Sequence, residues 1–361
     1  MLKSQLDFLK VAPYSLDHDE KSARLKQFLN ELTRWHYDNS AEYAAVLNAL
    51  GCAPNDDAEL ELSELPFLPV RLFKEFELPS VPRDRIVKTM VSSGTSGQTP
   101  SKIFLDSETA RAQSKCLSHI IGSFIGGKRL PLIILDSELV KKDRRMASAR
   151  GAGIIGFSMF GRDVFYALDE NMQLKLDELR AYIGKHRGEK IMLFGYTYMI
   201  WQYFQKELRR QNISLDIDDG ILFHTGGWKK ILSERVAPLE YNRILQSVCG
   251  NVTVHDYYGM TEQLGSVFVE CEHGHKHCSI YSDILIRDHK DFHVREHGEI
   301  GLIELMSVLP SSYPGHIILT EDEGKILGED DCPCGRLGKY FEILGRVKNA
   351  EARGCSDTYG R

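Results

Sequence analysis

The chain has 361 residues, of which 42% are hydrophobic and 27% charged, and its formal net charge is −6. This balance predicts a globular protein of two domains, or of one large domain with an appendage. The acidic excess argues against a nucleic-acid binder, which would carry a basic surface. The N-terminus lacks the apolar core of a signal peptide, and no window reaches the ~18 apolar residues of a membrane span. We therefore expect a cytoplasmic protein whose eight cysteines are thiols or metal ligands.

In chain order, residues 1–80 show helical apolar spacing until four prolines interrupt it in LSELPFLPVRLFKEFELPSVP. Residues 81–265 alternate short apolar runs such as RLPLIILD with longer amphipathic segments, which predicts βαβ units and a mainly parallel sheet. In residues 266–345 the runs GSVFVEC and GEIGLIELM have no long helix between them, which predicts an antiparallel, barrel-like subdomain. Residues 346–361 form a tail that carries Cys355.

The stretch VSSGTSGQTPSK, residues 91–102, is rich in hydroxyl groups and glycines and ends in a lysine. Backbone N–H groups and hydroxyls of such a loop can surround an anion, and Lys102 would supply the compensating charge. The stretch is not a Walker loop, because G-x-x-x-x-G-K-[ST] is absent. It predicts a phosphate-binding loop, with a flexible surface loop as the alternative.

The stretch HDYYGMTEQLGS, residues 255–266, places aromatic, hydroxyl and carboxylate groups within a few positions. Tyr258 could stack on a base, Thr261 could bond a phosphate, and Glu262 could hold Mg²⁺ through oxygen, the ligand that this ion prefers. Alone, the stretch would be equally well explained as an acidic turn. Together with the hydroxyl-rich loop it predicts a nucleotide site.

Two other patterns in the sequence give weaker signals. CEHGHKHC and the later CPC supply enough cysteine and histidine for a tetrahedral zinc site, although C-x-C is a weaker signal than C-x-x-C; unliganded turn residues are the alternative. GAGIIG, residues 151–156, has the G-x-G-x-x-G form, but it lacks a preceding strand and a following acid. We therefore do not expect a dinucleotide site, and we expect His119 and His224 to be structural or surface residues.

At this point the chain resembles the adenylate-forming superfamily of acyl-CoA synthetases and related ligases. Its phosphate loop is similar to SSGTSGQTPSK, its core motif to YYGMTEQ, its ribose-binding acid to Asp322 in LTEDEG, and its hinge to GRVK at residues 345–348. The four motifs occur in the family's order. Within the superfamily, RLFKEF, DDCPCGRLGKYFEILGR and AEARGCSD resemble the acyl-protein synthetases of bacterial luminescence, which are related to phenylacetate-CoA-ligase-like proteins.

The resemblance implies an α/β fold, with mainly parallel sheets flanked by helices and a small C-terminal β-barrel-like subdomain. It implies ATP and Mg²⁺ as cofactors, with Glu262 as the Mg²⁺ ligand and Lys348 as the hinge. It further implies structural zinc held by the best-matched set, Cys271, His277, Cys332 and Cys334. The implied nucleotide-contacting residues are Ser92, Ser93, Gly94, Thr95, Ser96, Gly97, Lys102, Gly226, Gly227, Tyr258, Thr261, Asp322 and Arg346.

The superfamily usually continues beyond the hinge with a mobile domain that carries an adenylation-promoting lysine, whereas this sequence ends at Arg361. We expect that domain to be absent and Cys355 to accept the acyl group, as the resemblance implies. The function implied is ATP-dependent activation of a long-chain fatty acid, followed by transfer to Cys355. The partners implied are a fatty-acid reductase subunit and an acyl-transferase subunit.

Three alternatives stay open at this stage. An aryl- or acyl-CoA ligase would use the same adenylation chemistry but release the acyl group to free coenzyme A. A nicotinamide-dinucleotide oxidoreductase would depend on GAGIIG. A zinc-stabilised scaffold would show no pyrophosphate exchange with any carboxylate.

Overall fold

The computed structural model describes residues 7–55, 59–92, 100–142 and 149–347. The described residues divide into two compact units, one made of residues 7–121 and 259–347 and the other of residues 122–258. Within the described ranges, no helix combines the length and apolar character needed to span a bilayer.

The first part of the first unit contains most of its helices. Asp17 caps the longest of them by accepting a hydrogen bond from the Glu20 N–H at 3.0 Å. The elements are α1 (His18–Asn39), α2 (Ala41–Ala49), β1 (Leu68–Pro69), α3 (Leu72–Glu75), β2 (Ile86–Val91), β3 (Lys102–Asp106) and α4 (Ser107–Ile125). Between α2 and the proline-rich stretch, the described residues contain no helix.

The second unit is built around five parallel strands in the order β5-β4-β6-β7-β8. The central strand β6 is buried along its whole length, as expected for apolar runs covered by helices on both faces. The strands are β4 (Leu130–Ser137), β5 (Gly161–Leu168), β6 (Ile191–Tyr196), β7 (Ile217–Thr225) and β8 (Gly250–Tyr258). The predicted mainly parallel sheet is confirmed.

Helices connect these strands, as parallel pairing requires. A π-helical turn, Ile200–Gln205, joins two of them into one helical segment, and Pro238 begins the last at a position where its missing N–H has no cost. The helices are α5 (Leu139–Lys142), α6 (Ala149–Ser158), α7 (Leu176–Lys185), α8 (Thr197–Met199), α9 (Lys206–Arg210) and α10 (Pro238–Cys249).

The later part of the first unit is antiparallel, with strand order β11-β12-β13-β14-β10-β9. The short β1 runs parallel to β13 through the pairs Leu68–Ile318 and Pro69–Leu319. The strands are β9 (Phe268–Glu270), β10 (Lys276–His277), β11 (Ser282–Arg287), β12 (Gly301–Ser307), β13 (Ile317–Glu329) and β14 (Lys339–Arg346). The absence of long helices between the apolar runs had predicted this antiparallel arrangement.

Candidate functional site

The hydroxyl-rich stretch connects β2 and β3, which pair as an antiparallel hairpin. The two stems are joined where the Ser92 N–H donates to the Ser101 carbonyl at 3.1 Å and the Ser101 N–H donates to the Ser92 hydroxyl at 2.9 Å. Ser93, Gly94, Thr95, Ser96 and Gly97 lie outside the described residues. The structure therefore shows how the loop is closed at its base.

Lys102 is the first residue of β3 and is exposed at the base of this loop. Its ammonium group donates to a Glu77 carboxylate oxygen at 2.8 Å, and Arg83 donates to the other oxygen at 2.7 Å. The hydrogen bond from Lys102, followed by that from Arg83, lowers the pKa of Glu77 to about 2. In this structure the charge of Lys102 is thus balanced by a carboxylate that the sequence reasoning did not identify.

Thr261 and Glu262 lie in a single 3₁₀ turn, Thr261–Gln263, and all three side chains are buried. Gln263 fixes the turn by donating to the carbonyls of Leu305 at 3.1 Å and His316 at 3.3 Å. Burial raises the pKa of the Glu262 carboxyl. A buried carboxyl that is costly to ionise alone is a fitting ligand for a divalent cation, which would favour the ionised form.

Groups from the hairpin and from the strands β13 and β14 act on the carboxyl of Glu262. Burial, which raises the Glu262 pKa, is the largest effect; Ser101, the backbone N–H of Glu262 and the Arg346 guanidinium act to lower this pKa, and Glu321 acts to raise it. Ser101 was not predicted as a site residue, because nothing in its spacing connects it to a carboxylate so far away in the sequence.

Asp322 and Arg346 occupy paired positions on β13 and β14, and the guanidinium Nε lies 3.4 Å from an Asp322 carboxylate oxygen. The Asp322 N–H donates to the Thr320 hydroxyl at 3.1 Å, which fixes the backbone there. Immediately after β14, the Val347 N–H donates to the Glu321 carbonyl at 3.1 Å. The two residues implied as ribose ligands are thus brought together, and the end of the described chain is held beside them.

The second unit carries the remaining candidates at the carboxyl ends of its parallel strands. Gly226 and Gly227 follow β7 with φ of +90° and +65°, and a Cβ at Gly226 would lie 2.8 Å from the Tyr196 ring. Glycine is therefore required there both by conformation and by space. Tyr258 is the last residue of β8 and is half-buried. Ligands of open α/β sheets bind at this edge.

The predicted zinc ligands come together in the first unit. One ligand atom from each of Cys271, His277, Cys332 and Cys334 lies within 4.8 Å of the others. The Sγ atoms of Cys271 and Cys332 are 3.9 Å apart, and the Cys334 Sγ lies 3.3 Å from the His277 Nε2. Tetrahedral zinc with its usual bond lengths separates two sulfur ligands by about 3.8 Å. The residues present fit that ion.

Backbone turns set this arrangement, which we call the Cys/His cluster. The Cys271 N–H donates to the His275 carbonyl at 2.8 Å, and the Gly335 N–H donates to the Cys332 carbonyl at 3.0 Å. Burial lowers the pKa of His277 to about 4, so its ring is neutral and able to coordinate a metal. Of the other candidates, His275 lies 3.3 Å from the Cys332 sulfur and stacks on Tyr340.

The N-terminal segment lies against the Cys/His cluster. The Ile280 N–H donates to the Pro13 carbonyl at 2.7 Å, the Leu337 N–H donates to the Tyr14 carbonyl at 3.3 Å, and the Tyr14 ring meets the His277 ring edge-on. Further along, Lys21 is buried and lies 3.2 Å from the Asp283 carboxylate. The cluster is therefore connected to the start of the chain as well as to the antiparallel sheet.

GAGIIG lies within helix α6 rather than in a strand-to-helix turn. A Cβ at Gly153 would lie 2.4 Å from the Tyr196 hydroxyl, so this small residue permits close packing of the helix on the sheet. The rejection of a dinucleotide fingerprint is consistent with this placement. Lys348 and Cys355 lie outside the described residues.

Solved structures of other proteins share the fold of this chain. No curated protein matches the chain. A crystal structure of 2-hydroxyisobutyryl-CoA ligase in an open conformation, in complex with 2-HIB-AMP and CoA, is similar with a TM-score of 0.73 at 15% identity, over 93% of this chain and 77% of the ligase. The same ligase in the thioesterification state gives a TM-score of 0.71 at 16% identity, over 94% and 70%.

These likenesses show that the chain has the α/β fold of 2-hydroxyisobutyryl-CoA ligase, as expected. The family is shown separately by a family model described as "Acyl-protein synthetase, LuxE", which matches residues 3–361. This match covers both units and the Cys/His cluster. The chain belongs to the LuxE family of acyl-protein synthetases.

Proposed function

We propose that this protein activates a long-chain fatty acid with ATP and then transfers the acyl group to its own Cys355. In the first step a carboxylate oxygen of the acid attacks the α-phosphorus of ATP, and the bond to the β-phosphate breaks to release pyrophosphate. In the second step the Cys355 thiolate attacks the acyl carbon, AMP leaves, and the thiol proton passes to solvent. The thioester keeps the acyl group activated for a later transfer.

The described residues suit the first step. Tyr258 would stack on adenine beside the Gly226–Gly227 turn, and Asp322 with Arg346 would bind the ribose hydroxyls. Mg²⁺, held by Glu262, would neutralise phosphate charge. Lys102 and Thr261 would contact the phosphates, together with the loop of Ser92, Ser93, Gly94, Thr95, Ser96 and Gly97. Lys102 would exchange its Glu77 partner for a phosphate on binding.

The observation that carries the proposal for Cys355 is the hydrogen bond from Val347 to the Glu321 carbonyl, next to Asp322. Cys355 follows Val347 by about eight residues, and an extended chain of that length reaches at most about 27 Å. The thiol is therefore tethered within reach of the candidate ribose site. Such a tether gives the thiol a high effective concentration at the adenylate.

A thioester on Cys355 would serve delivery to a second protein. A fatty-acid reductase subunit would take the acyl group from the tail, and an acyl-transferase subunit would supply the fatty acid, as in the reductase complex of bacterial luminescence that the family resemblance implies. The alternative within the same chemistry is an acyl- or aryl-CoA ligase, in which free coenzyme A rather than Cys355 accepts the acyl group.

The test combines pyrophosphate exchange with mapping of the acylated residue. The full chain is incubated with ATP, Mg²⁺ and labelled fatty acids of graded length. We expect Cys355→Ser to retain exchange but to lose the protein-bound label, whereas Cys52→Ser, which removes an exposed thiol elsewhere, retains both. Label retained on Cys355→Ser would refute the assignment of Cys355. AMP release stimulated by free coenzyme A, without a protein-bound label, would instead favour the CoA ligase.

We also propose that the Cys/His cluster binds a structural zinc ion through Cys271, His277, Cys332 and Cys334. The sulfur and nitrogen separations fit tetrahedral coordination, and the ion would stabilise the turns rather than act on substrate. Metal analysis of the purified chain should give about one zinc per chain, and Cys332→Ser should lose it. The matched control is Cys278→Ser, a buried cysteine outside the four, which should keep the metal. Wild-type protein with far less than one zinc per chain would refute this site.

A further inference from the structure

The second unit contains a buried polar network directly beneath the Gly226–Gly227 turn. His224 is two residues before Gly226, near the end of β7, and is buried. Its Nδ1 lies 2.9 Å from the Thr197 hydroxyl and 3.5 Å from a carboxylate oxygen of Asp256. Thr197 belongs to none of the sequence motifs, and the sequence predicts that His224 is a structural or surface residue.

The hydrogen-bonding roles in this network can be assigned. The Thr197 hydroxyl donates to the Thr225 carbonyl at 3.0 Å, so its single proton is used there. The hydroxyl must then accept from His224, which places the imidazole proton on Nδ1, facing Asp256 as well. The network therefore requires a proton on Nδ1 of His224.

Two more hydrogen bonds extend the network to helix α10 and to the end of strand β8. The Tyr241 hydroxyl, from α10, donates to the Thr197 carbonyl at 3.3 Å, and the Tyr241 ring lies 4.8 Å from the His224 ring. The Thr225 hydroxyl donates to the Tyr257 carbonyl at 2.8 Å. The residues immediately before Gly226 and Tyr258 are thus held to each other and to the start of α8.

We propose that Thr197 and His224 are positioning residues that fix the Gly226–Gly227 turn and Tyr258 for nucleotide binding. Glycine backbone has many accessible conformations, and the ends of two strands can move independently unless side-chain bonds join them. Thr197 fixes the carbonyl before the turn, and His224 fixes Thr197. Neither side chain needs to touch the nucleotide. This inference rests on the proposed adenylation function and extends it to two residues that act through the backbone.

The test is equilibrium binding of ATP with Mg²⁺ to the full chain by calorimetry, together with the KM for ATP in pyrophosphate exchange. Thr197→Val and His224→Leu should weaken ATP binding and raise this KM by about tenfold, because each leaves a buried partner unsatisfied. The kcat of exchange should change less than twofold, since no reacting atom is touched. His224→Asn, whose amide can donate from nearly the position of Nδ1, should restore most of the affinity.

Tyr182→Phe is the matched control. It removes a buried hydroxyl that donates to the Asp163 carbonyl at the amino end of the same sheet, and it should leave ATP affinity unchanged. Unchanged ATP affinity in Thr197→Val would overturn the inference. It would also be overturned if every variant, including the control, lost ATP affinity in proportion to its loss of thermal stability. Wild-type chain that binds ATP but exchanges no pyrophosphate would refute the proposed function while leaving the binding test valid. Wild-type chain that binds no ATP would overturn this inference too.

Discussion

The Cys/His cluster and the candidate nucleotide site both gather residues from distant parts of the sequence, but they differ in what those residues now contact. In the cluster, the four ligand atoms already lie at separations that suit one ion. In the nucleotide site, the charged groups satisfy one another: Lys102 pairs with Glu77, and Arg346 lies beside Asp322.

The difference follows from the elements that carry the residues. Cluster ligands lie in or next to β9, β10 and the turn before β14, where backbone hydrogen bonds set their positions. Lys102 is exposed beside a loop, and a long, flexible side chain pairs with whichever charge is nearest. If the two sites bind their ligands as proposed, the metal site is formed largely by folding, whereas the nucleotide site completes its contacts only when the nucleotide replaces internal partners.

The largest effect on stability is expected from removing the metal of the Cys/His cluster. Cys332→Ser, or a strong chelator, should lower the free energy of unfolding by about 4 kcal/mol or more, as loss of a structural metal does. Because Pro13 and Tyr14 contact the segments next to the ligands, cleavage near the N-terminus by trypsin should also accelerate. The measurement is chemical denaturation with and without chelator. Equal stability in both conditions would mean that the cluster is held by packing alone.

The same contrast explains what the sequence could and could not predict. The parallel sheet was predictable because RLPLIILD and similar runs are apolar on both faces, and the pairing of Asp322 with Arg346 was implied by the family resemblance. Glu77 and Thr197 were not predicted. Glu77 follows RLFKEF without being part of it, and Thr197 lies in a segment without a motif; the role of each arises only from tertiary contacts with Lys102 or His224. The lone polar residue at a strand end was the one available signal for Thr197.

Glu262→Gln addresses the nucleotide site itself. Losing the negative charge at this buried position should weaken the Mg²⁺ contact and slow pyrophosphate exchange by roughly 10- to 100-fold, with partial recovery at high Mg²⁺. Glu270→Gln is the matched control, since Glu270 is a buried carboxylate of the same unit that pairs with Lys276. Its exchange rate should stay near that of the wild type. If Glu262→Gln exchanges pyrophosphate as fast as the wild type, Glu262 does not bind the metal.

A buried pair of histidines gives an acid sensitivity that is independent of any metal. The His36 and His316 rings contact each other at a tilt, with centroids 4.8 Å apart, and burial lowers the pKa of His36 to about 3 and that of His316 well below its ordinary value. The unfolded chain takes up protons below pH ~6.5 while the folded chain does not, so stability present above that pH is lost as the pH falls. At pH 5.5 the loss should be about 1.4 kcal/mol for each histidine.

Denaturation midpoints at pH 7.5 and 5.5 measure this loss. His316→Gln, which retains a hydrogen-bonding group for Thr33 without an imidazole, should reduce the loss at pH 5.5 by about 1.4 kcal/mol. Both proteins are compared with chelator present throughout, so that the pH-dependent release of metal from the Cys/His cluster does not enter the comparison. An identical pH dependence in the variant and the wild type would show that other groups titrate instead.

The smallest expected effect concerns the exchange of partners by Lys102. If the Glu77 carboxylate competes with the phosphates of ATP for Lys102, Glu77→Gln should lower the KM for ATP in pyrophosphate exchange. An exposed ion pair is worth little, so the change should not exceed about fivefold, and it should shrink as salt is raised. Glu207→Gln, which removes the partner of Arg210 on the surface of the other unit, should have no effect on this KM. A higher KM in Glu77→Gln would mean that Glu77 holds Lys102 in its binding position rather than competing for it, and the exposed lysine would then be as preorganised as the buried cluster.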